Sequence, residues 1–206
     1  MPEKLPIMRK LKLFTIGHST RSQEEFLSLL GEFKIKVLID IRRFPGSRRF
    51  PHFNRQSLEK TLPQAGIEYI WLENLGGRRS AEGETSPNGR SGPDIVNSLN
   101  TGLKHPAFRN YADYMQTELF HLVVNQLLSI ASTKPTVVMC AEKLFWKCHR
   151  RLLCDYLVSH GCLIEHIIES GRLQPHELSA GAVITSDLRV IYPSARPDFD
   201  EPKLFD

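Results

Sequence analysis

Short apolar runs recur along this chain with helical segments between them, and this alternation limits the available folds more than any other feature. Residues 11–16 (LKLFTI), 36–41 (KVLIDI), 67–72 (IEYIWL), 136–140 (TVVMC) and 163–168 (LIEHII) are each too short for a helix and rich in apolar residues. Between the first two, Ser22 and Glu25 form a capping-box pattern, and Phe26, Leu29, Leu30 and Phe33 recur at helical spacing. Residues 57–65 make a shorter helix stopped near Gly66, and residues 108–131 a longer one broken near Glu118. Residues 148–160 make another, ended by Gly161. Apolar strands joined by helical crossovers predict an α/β fold: a doubly wound, mostly parallel sheet of about five strands with helices on both faces. Residues 182–192 then read as a two-stranded hairpin turning at Ser186 and Asp187, followed by a proline-broken tail.

A chain of 206 residues accommodates one such domain with an appendage. The expected division is an α/β domain over residues 11–178 and a hairpin with an acidic tail over 179–206. Inside the first, residues 73–106 carry little periodicity and read as a long loop or lid, opened by Gly76-Gly77-Arg78-Arg79, a cationic lid or a plain surface loop. A composition of 41% apolar and 24% charged residues excludes a globally disordered chain. No run approaches the ~18–20 apolar residues of a membrane span, and Lys10 and Lys12 interrupt the N-terminal run, so a soluble protein without membrane contact is expected. Cysteines 140, 148, 154 and 162 lack the density of a secreted disulfide scaffold, which points to reduced thiols in a cytoplasm.

In open parallel sheets, functional groups gather beyond the carboxyl ends of the strands. Those ends deliver Gly17-His18-Ser19, Arg42-Arg43, Glu73-Asn74 and Cys140-Ala141-Glu142-Lys143. Residues 42–55 hold five arginines (42, 43, 48, 49 and 55), with phenylalanines 44, 50 and 53 interleaved and no acid among them. Arginine forks match phosphate and aromatic rings stack on bases, so an anionic partner is expected here, nucleic acid or a phosphorylated small molecule; the alternative is a solvated basic loop. Arg42 and Arg43 leave the strand directly and are the first candidates for anion contact. The net charge of +4 conceals this concentration: residues 198–206 contribute four acids and one lysine, a net of −3, which leaves +7 for the rest.

Cys140 ends a buried strand ahead of a helix and is read either as a nucleophile, its thiolate favoured by the helix N-terminus and by Arg150 or Arg151, or as a buried structural residue. Cys140, Cys148 and His149 offer soft ligands for a divalent metal, but C-x7-C-H lacks the C-x2-C knuckle, so no cofactor is expected. Glu142 is a general acid/base candidate if desolvated, or pairs with the arginines; His18 is a proton shuttle, an anion contact or a hydrogen-bonded structural residue. Cys154 and Cys162 are expected in the core, and His105, His121, His160, His166 and His176 at the surface or satisfied inside. No G-x-G-x-x-G or G-x4-G-K-[ST] is present, which argues against nicotinamide and P-loop nucleotide binding.

TIGHSTRSQEEFLSLL, IDIRRFPGSRRFPHFN, GIEYIWLENLGG and CAEKLFWKCHRRLLCDYL together resemble the DUF488 family of uncharacterised proteins, in order over residues 11–178. The resemblance implies that His18, Arg42, Pro45, Ser47, Asn54, Cys140, Glu142, Cys148, His149 and Arg150 are signature positions, without assigning their roles. Ser47 and Asn54 thereby join Arg42, Arg43 and Arg150 as expected anion contacts, with Cys140, Glu142 and His18 as the expected catalytic groups. The resulting expectation is an enzyme acting on a phosphate-bearing substrate; the alternatives are a non-catalytic nucleic-acid-binding module and a metal- or redox-sensing regulator.

Overall fold

A computed structural model of the chain describes residues 10–77, 79 and 98–194. Strand β1 (Lys12–Gly17) leads through helix α1 (Gln23–Glu32) to β2 (Val37–Asp40), and α2 (Arg55–Gln64) leads to β3 (Glu68–Trp71). Helices α3 (Pro106–Tyr114) and α4 (Glu118–Ala131) precede β4 (Thr136–Cys140), and α5 (Arg150–Ser159) precedes β5 (Leu163–Glu169). The long 108–131 pattern is thus two helices, because Thr117 caps α4 through its side chain on Phe120 N–H. The capping box of Ser22 and Glu25 starts α1 as the spacing requires.

The sheet order is β3-β2-β4-β1-β5-β6, parallel throughout except for β6 (Arg172–Pro175), which pairs antiparallel with β5. The sequence pattern does not announce β6: RLQP is a polar edge strand with one apolar residue, reached by a tight turn at Ser170 and Gly171, whose φ is +68°. Strands β7 (Val183–Ile184) and β8 (Val190–Ile191) form the small C-terminal hairpin. No helix among the described residues is long and apolar enough to cross a membrane.

Strand alternation divides the core between the two faces. Leu38, Val137, Met139 and Ile167 pack under α1 and α2, while Val37, Ile39, Val138 and Ile164 pack under α3, α4 and α5. The order matters for function. The chain leaves β1 toward β2, passing β4, and leaves β4 toward β5, passing β1, so it departs these adjacent strands in opposite directions and on opposite faces. A crevice opens at such a reversal, here beyond Gly17 and Cys140.

Candidate functional site

The β-branched run of β4 sets Cys140 at the end of a fully buried strand, next to Gly17 of β1. Two backbone hydrogen bonds extend the pairing past the strands, from His18 N–H to the Cys140 carbonyl and from Ser19 N–H to the Ala141 carbonyl, both 2.9 Å. Gly17 is required for this closure: a Cβ there would stand 1.7 Å from the Glu142 carbonyl oxygen. The chain then loops through residues 141–149 and re-enters as α5, bringing Cys148, His149 and Arg150 back beside Cys140.

The two sulfurs lie 3.1 Å apart, with His149 Nδ1 4.0 Å from Cys140 Sγ and 3.5 Å from Cys148 Sγ. Cys148 Sγ also accepts the Arg150 backbone N–H at 3.4 Å, so the α5 N-terminus polarises Cys148 and reaches Cys140 only through it. The Cys148 thiol donates to Cys140 and holds the Cys140 pKa well below its ordinary value against the opposing effect of burial, with help from His149 and Arg150. Donation to Cys140, together with burial, pushes the Cys148 thiol well up. The hydrogen bond thus favours the negative charge on Cys140 and the proton on Cys148.

Arg150 is 1% exposed. Its Nη2 donates to the carbonyls of Glu142 and Lys143 at 3.2 and 3.4 Å, while its Nε and Nη1, like His149 Nε2, have no partner among the described residues. The Glu142 side chain is exposed, and its backbone carbonyl is built into the site as an acceptor for Arg150. Gly77 lies against the His149 ring, where a Cβ would come within 2.7 Å, and Gly76 is similarly close to Arg43.

Beside this cluster, Arg42 is engaged by the protein itself. Its Nε donates to Asp40 Oδ1 and Oδ2, and its Nη2 to Asp40 Oδ2 at 2.6 Å and the Phe53 carbonyl at 2.8 Å, which leaves Nη1 facing His18 Nε2 at 3.2 Å. Burial works against the Arg42 charge, but the Asp40 hydrogen bonds and charge prevail and its pKa is raised. His18 is lowered to about 4 by burial and then by the Arg42 charge. At neutral pH it is the uncharged tautomer, with Nδ1–H donating to the Ser19 carbonyl at 3.0 Å and the ring stacked on Phe53. Asn54 Oδ1 takes the Ser47 N–H at 2.5 Å and Ser47 Oγ takes the Phe50 N–H at 3.0 Å, so these two residues brace the arginine-rich loop. The exposed side of that loop carries Arg48, Arg49 and Phe44, the last 65% exposed with the Arg43 guanidinium 5.9 Å from its ring centre.

Two sets of residues entered the site without a sequence reading. Asp40 is fully buried and accepts from Arg42 and from Tyr69 Oη at 2.8 Å; the D-x-R spacing at the end of β2 is the signal that locates it. Tyr111, whose ring packs edge-on against His149, carries no signal beyond its place in a helical stripe. Of the expected cationic lid, Gly76, Gly77 and Arg79 are described, with Arg79 over the Tyr114 ring, whereas Arg78 and most of loop 73–106 lie outside the described residues, as does the acidic tail.

Cys140, Cys148 and His149 present three ligand atoms within 4.8 Å of one another. Two thiolates on one tetrahedral zinc, with bonds of ~2.3 Å, stand about 3.8 Å apart. The 3.1 Å separation is shorter, and among the described residues His149 Nε2 has no acceptor of the kind that normally orients a ligating imidazole. The distances suit a hydrogen-bonded thiol and thiolate better than a shared metal. The second trio, Cys154, His166 and His176, is buried, and the ring nitrogens of its histidines are already taken by Thr15, by each other and by Asp155.

The family described as "Domain of unknown function DUF488" matches residues 22–157, about two thirds of the chain. The chain belongs to this family. The matched stretch of the DUF488 protein runs from the first turn of α1 into α5, and so contains Arg42, Cys140, Cys148, His149 and Arg150, while His18 precedes it. No match is found among curated proteins or among solved structures.

Proposed function

We propose that this DUF488 protein is a cysteine enzyme acting on a phosphate-bearing substrate, with Cys140 as the nucleophile. The observation that carries the reading is the buried Arg150 guanidinium, with two unmatched N–H groups, beside a thiol pair that holds its thiolate on Cys140. A buried cation with spare donors favours an anionic ligand, and a thiolate there supplies the electron pair for attack. The new bond forms from Cys140 Sγ to the electrophilic atom. The leaving group departs with its bonding electrons and takes a proton from solvent. Glu142, exposed on the same loop, is the carboxylate available to the water that regenerates the thiolate.

In this reading Arg150 is the anion contact at the nucleophile. Arg42 is a positioning residue that fixes His18, and Ser47 and Asn54 shape the loop. Arg48, Arg49 and the exposed Phe44 extend the anion contact outward and favour a nucleotide or nucleic acid over a small phosphate ester. A nucleophilic thiol requires a reducing compartment, so a cytoplasmic site of action belongs to the same reading.

Alkylation of the native protein tests it. Cys140 should be the first thiol labelled by iodoacetamide at pH 6, iodoacetate should be favoured over iodoacetamide relative to its ratio on glutathione, and a short oligonucleotide should slow both in a salt-dependent way. Labelling of Cys140 no faster than Cys162, whose thiol burial pushes up, overturns the reading. A second reading, a nucleic-acid-binding module without chemistry, is favoured by the exposed Phe44 next to Arg43 and predicts oligonucleotide retention at low salt with no thiol reactivity at Cys140.

A further inference from the structure

We propose that Cys140 and Cys148 form a hydroperoxide-responsive dithiol, in which Cys140 is the oxidised residue and Cys148 the resolving one. This concerns regulation of the same site and rests on the thiolate of the proposed enzyme, though not on its substrate. Closing a disulfide from a sulfur separation of 3.1 Å requires an approach of about 1 Å, since the bond is ~2.05 Å long. The two thiols bracket a short loop: residues 141–143 are exposed, and Cys148 follows a single 3-10 turn, Phe145–Lys147.

The protonation pattern matches the two steps. Peroxide oxidation begins at a thiolate, and the sulfenic acid is resolved by a neighbouring thiol. Cys140 Sγ attacks one oxygen of the hydroperoxide, the O–O bond breaks, and the alkoxide released takes a proton from solvent to leave as an alcohol. Cys148 Sγ then attacks the Cys140 sulfenic sulfur, the S–O bond breaks, and the hydroxyl leaves as water with the Cys148 proton. Both sulfurs are oxidised by one electron each and the peroxide is reduced by two. Cys140 is 6% and Cys148 4% exposed, and a hydroperoxide as small as hydrogen peroxide fits the narrow access this leaves to Cys140. The other two cysteines do not compete, because burial pushes both thiols up.

The experiment is a titration of the reduced full chain with hydrogen peroxide, read by thiol counting under denaturing conditions and by mass mapping without reductant. The expected result is a fall from four free thiols per chain to two, recovered by dithiothreitol, with Cys140 and Cys148 joined. In Cys148→Ser, dimedone should capture a sulfenic acid at Cys140, and in Cys140→Ser, Cys148 should stay reduced. Oxidation of Cys140 to sulfinic acid without a disulfide in the wild-type chain overturns the inference, as does stoichiometric zinc that shields both thiols. Rapid alkylation of Cys140 at pH 6 without disulfide formation removes this inference alone; absence of that alkylation removes the proposed enzyme as well.

Discussion

Two buried polar clusters lie on the α5 side of the sheet, and they differ in how completely their hydrogen bonds are used. In the first, Thr15 Oγ1 meets His166 Nδ1 at 2.6 Å, His166 Nε2 meets His176 Nδ1 at 2.9 Å, and His176 Nε2 meets Asp155 Oδ1 at 2.9 Å. Asp155 also accepts from Ser179 N–H and from Tyr192 Oη. A proton arrangement with every donor directed toward Asp155 satisfies this chain of contacts. The Cys140 cluster instead leaves Arg150 Nε, Arg150 Nη1 and His149 Nε2 without partners among the described residues. A satisfied buried network adds stability and fixes one conformation, whereas spare buried donors forgo stability, and under the proposed function an anionic ligand is what would complete them.

The comparison breaks if Asp155 proves dispensable. Asp155→Ala strands three donors and detaches the C-terminal hairpin anchored by Tyr192, so a loss of about 3–5 kcal/mol in urea unfolding is expected. A change below about 1 kcal/mol would show that the network is not what holds this region.

Acid should unfold the protein through one histidine from each region. Burial lowers His166 to about 2, with the charges of His176 and Arg150 adding to it, and burial lowers His18 to about 4. Unfolded histidines take up protons near pH 6.5, so below that value the unfolded state binds more protons and stability falls as pH falls. The His18 contribution ends near pH 4 and the His166 contribution continues to about 2. Between pH 6 and pH 5 the two together should cost about 1–3 kcal/mol, and His18→Gln should remove its share of the slope in unfolding measured across that window.

The Cys140 cluster should respond in reactivity. Cys148→Ala deletes the donor that favours the Cys140 thiolate, and alkylation of Cys140 at pH 6 should slow about ten- to hundredfold, the equivalent of losing one hydrogen bond to a charged group. Unchanged rates would assign the thiolate to His149 and Arg150 alone. The smallest effect expected is on folding: Cys140→Ser, nearly isosteric and able to keep a bond to Cys148, should shift stability by less than about 1 kcal/mol while abolishing labelling at that position.

Much of this architecture is legible in the chain. The β-branched strand TVVMC, the Ser22/Glu25 capping box and the glycine stops give the strand–helix order because they report short-range geometry, the pleat and the helical turn. Cys140, Cys148, His149 and Arg150 are visible as chemistry-bearing residues at a strand end and a helix start. Their order of importance is not visible. Five arginines in residues 42–55 look like a single anion site, yet Arg42 is taken up by Asp40, two residues earlier in the chain, and the buried guanidinium with unmatched donors beside the two thiols is that of Arg150.

By itself, the sequence determined the element order, the two-sided burial of the strands and the set of reactive residues, since each depends on periodicity or side-chain type within a few neighbours. Only the tertiary structure decided that β4 inserts between β2 and β1, and hence that Gly17 meets Glu142 and that the β1 and β4 exits share one crevice. It also decided which buried donors are satisfied and that Cys148, rather than the helix N-terminus, supports the Cys140 thiolate. The reason is physical: strand order and hydrogen-bond satisfaction are set by contacts between residues far apart in the chain, such as Thr15 and His166, for which local spacing carries no code.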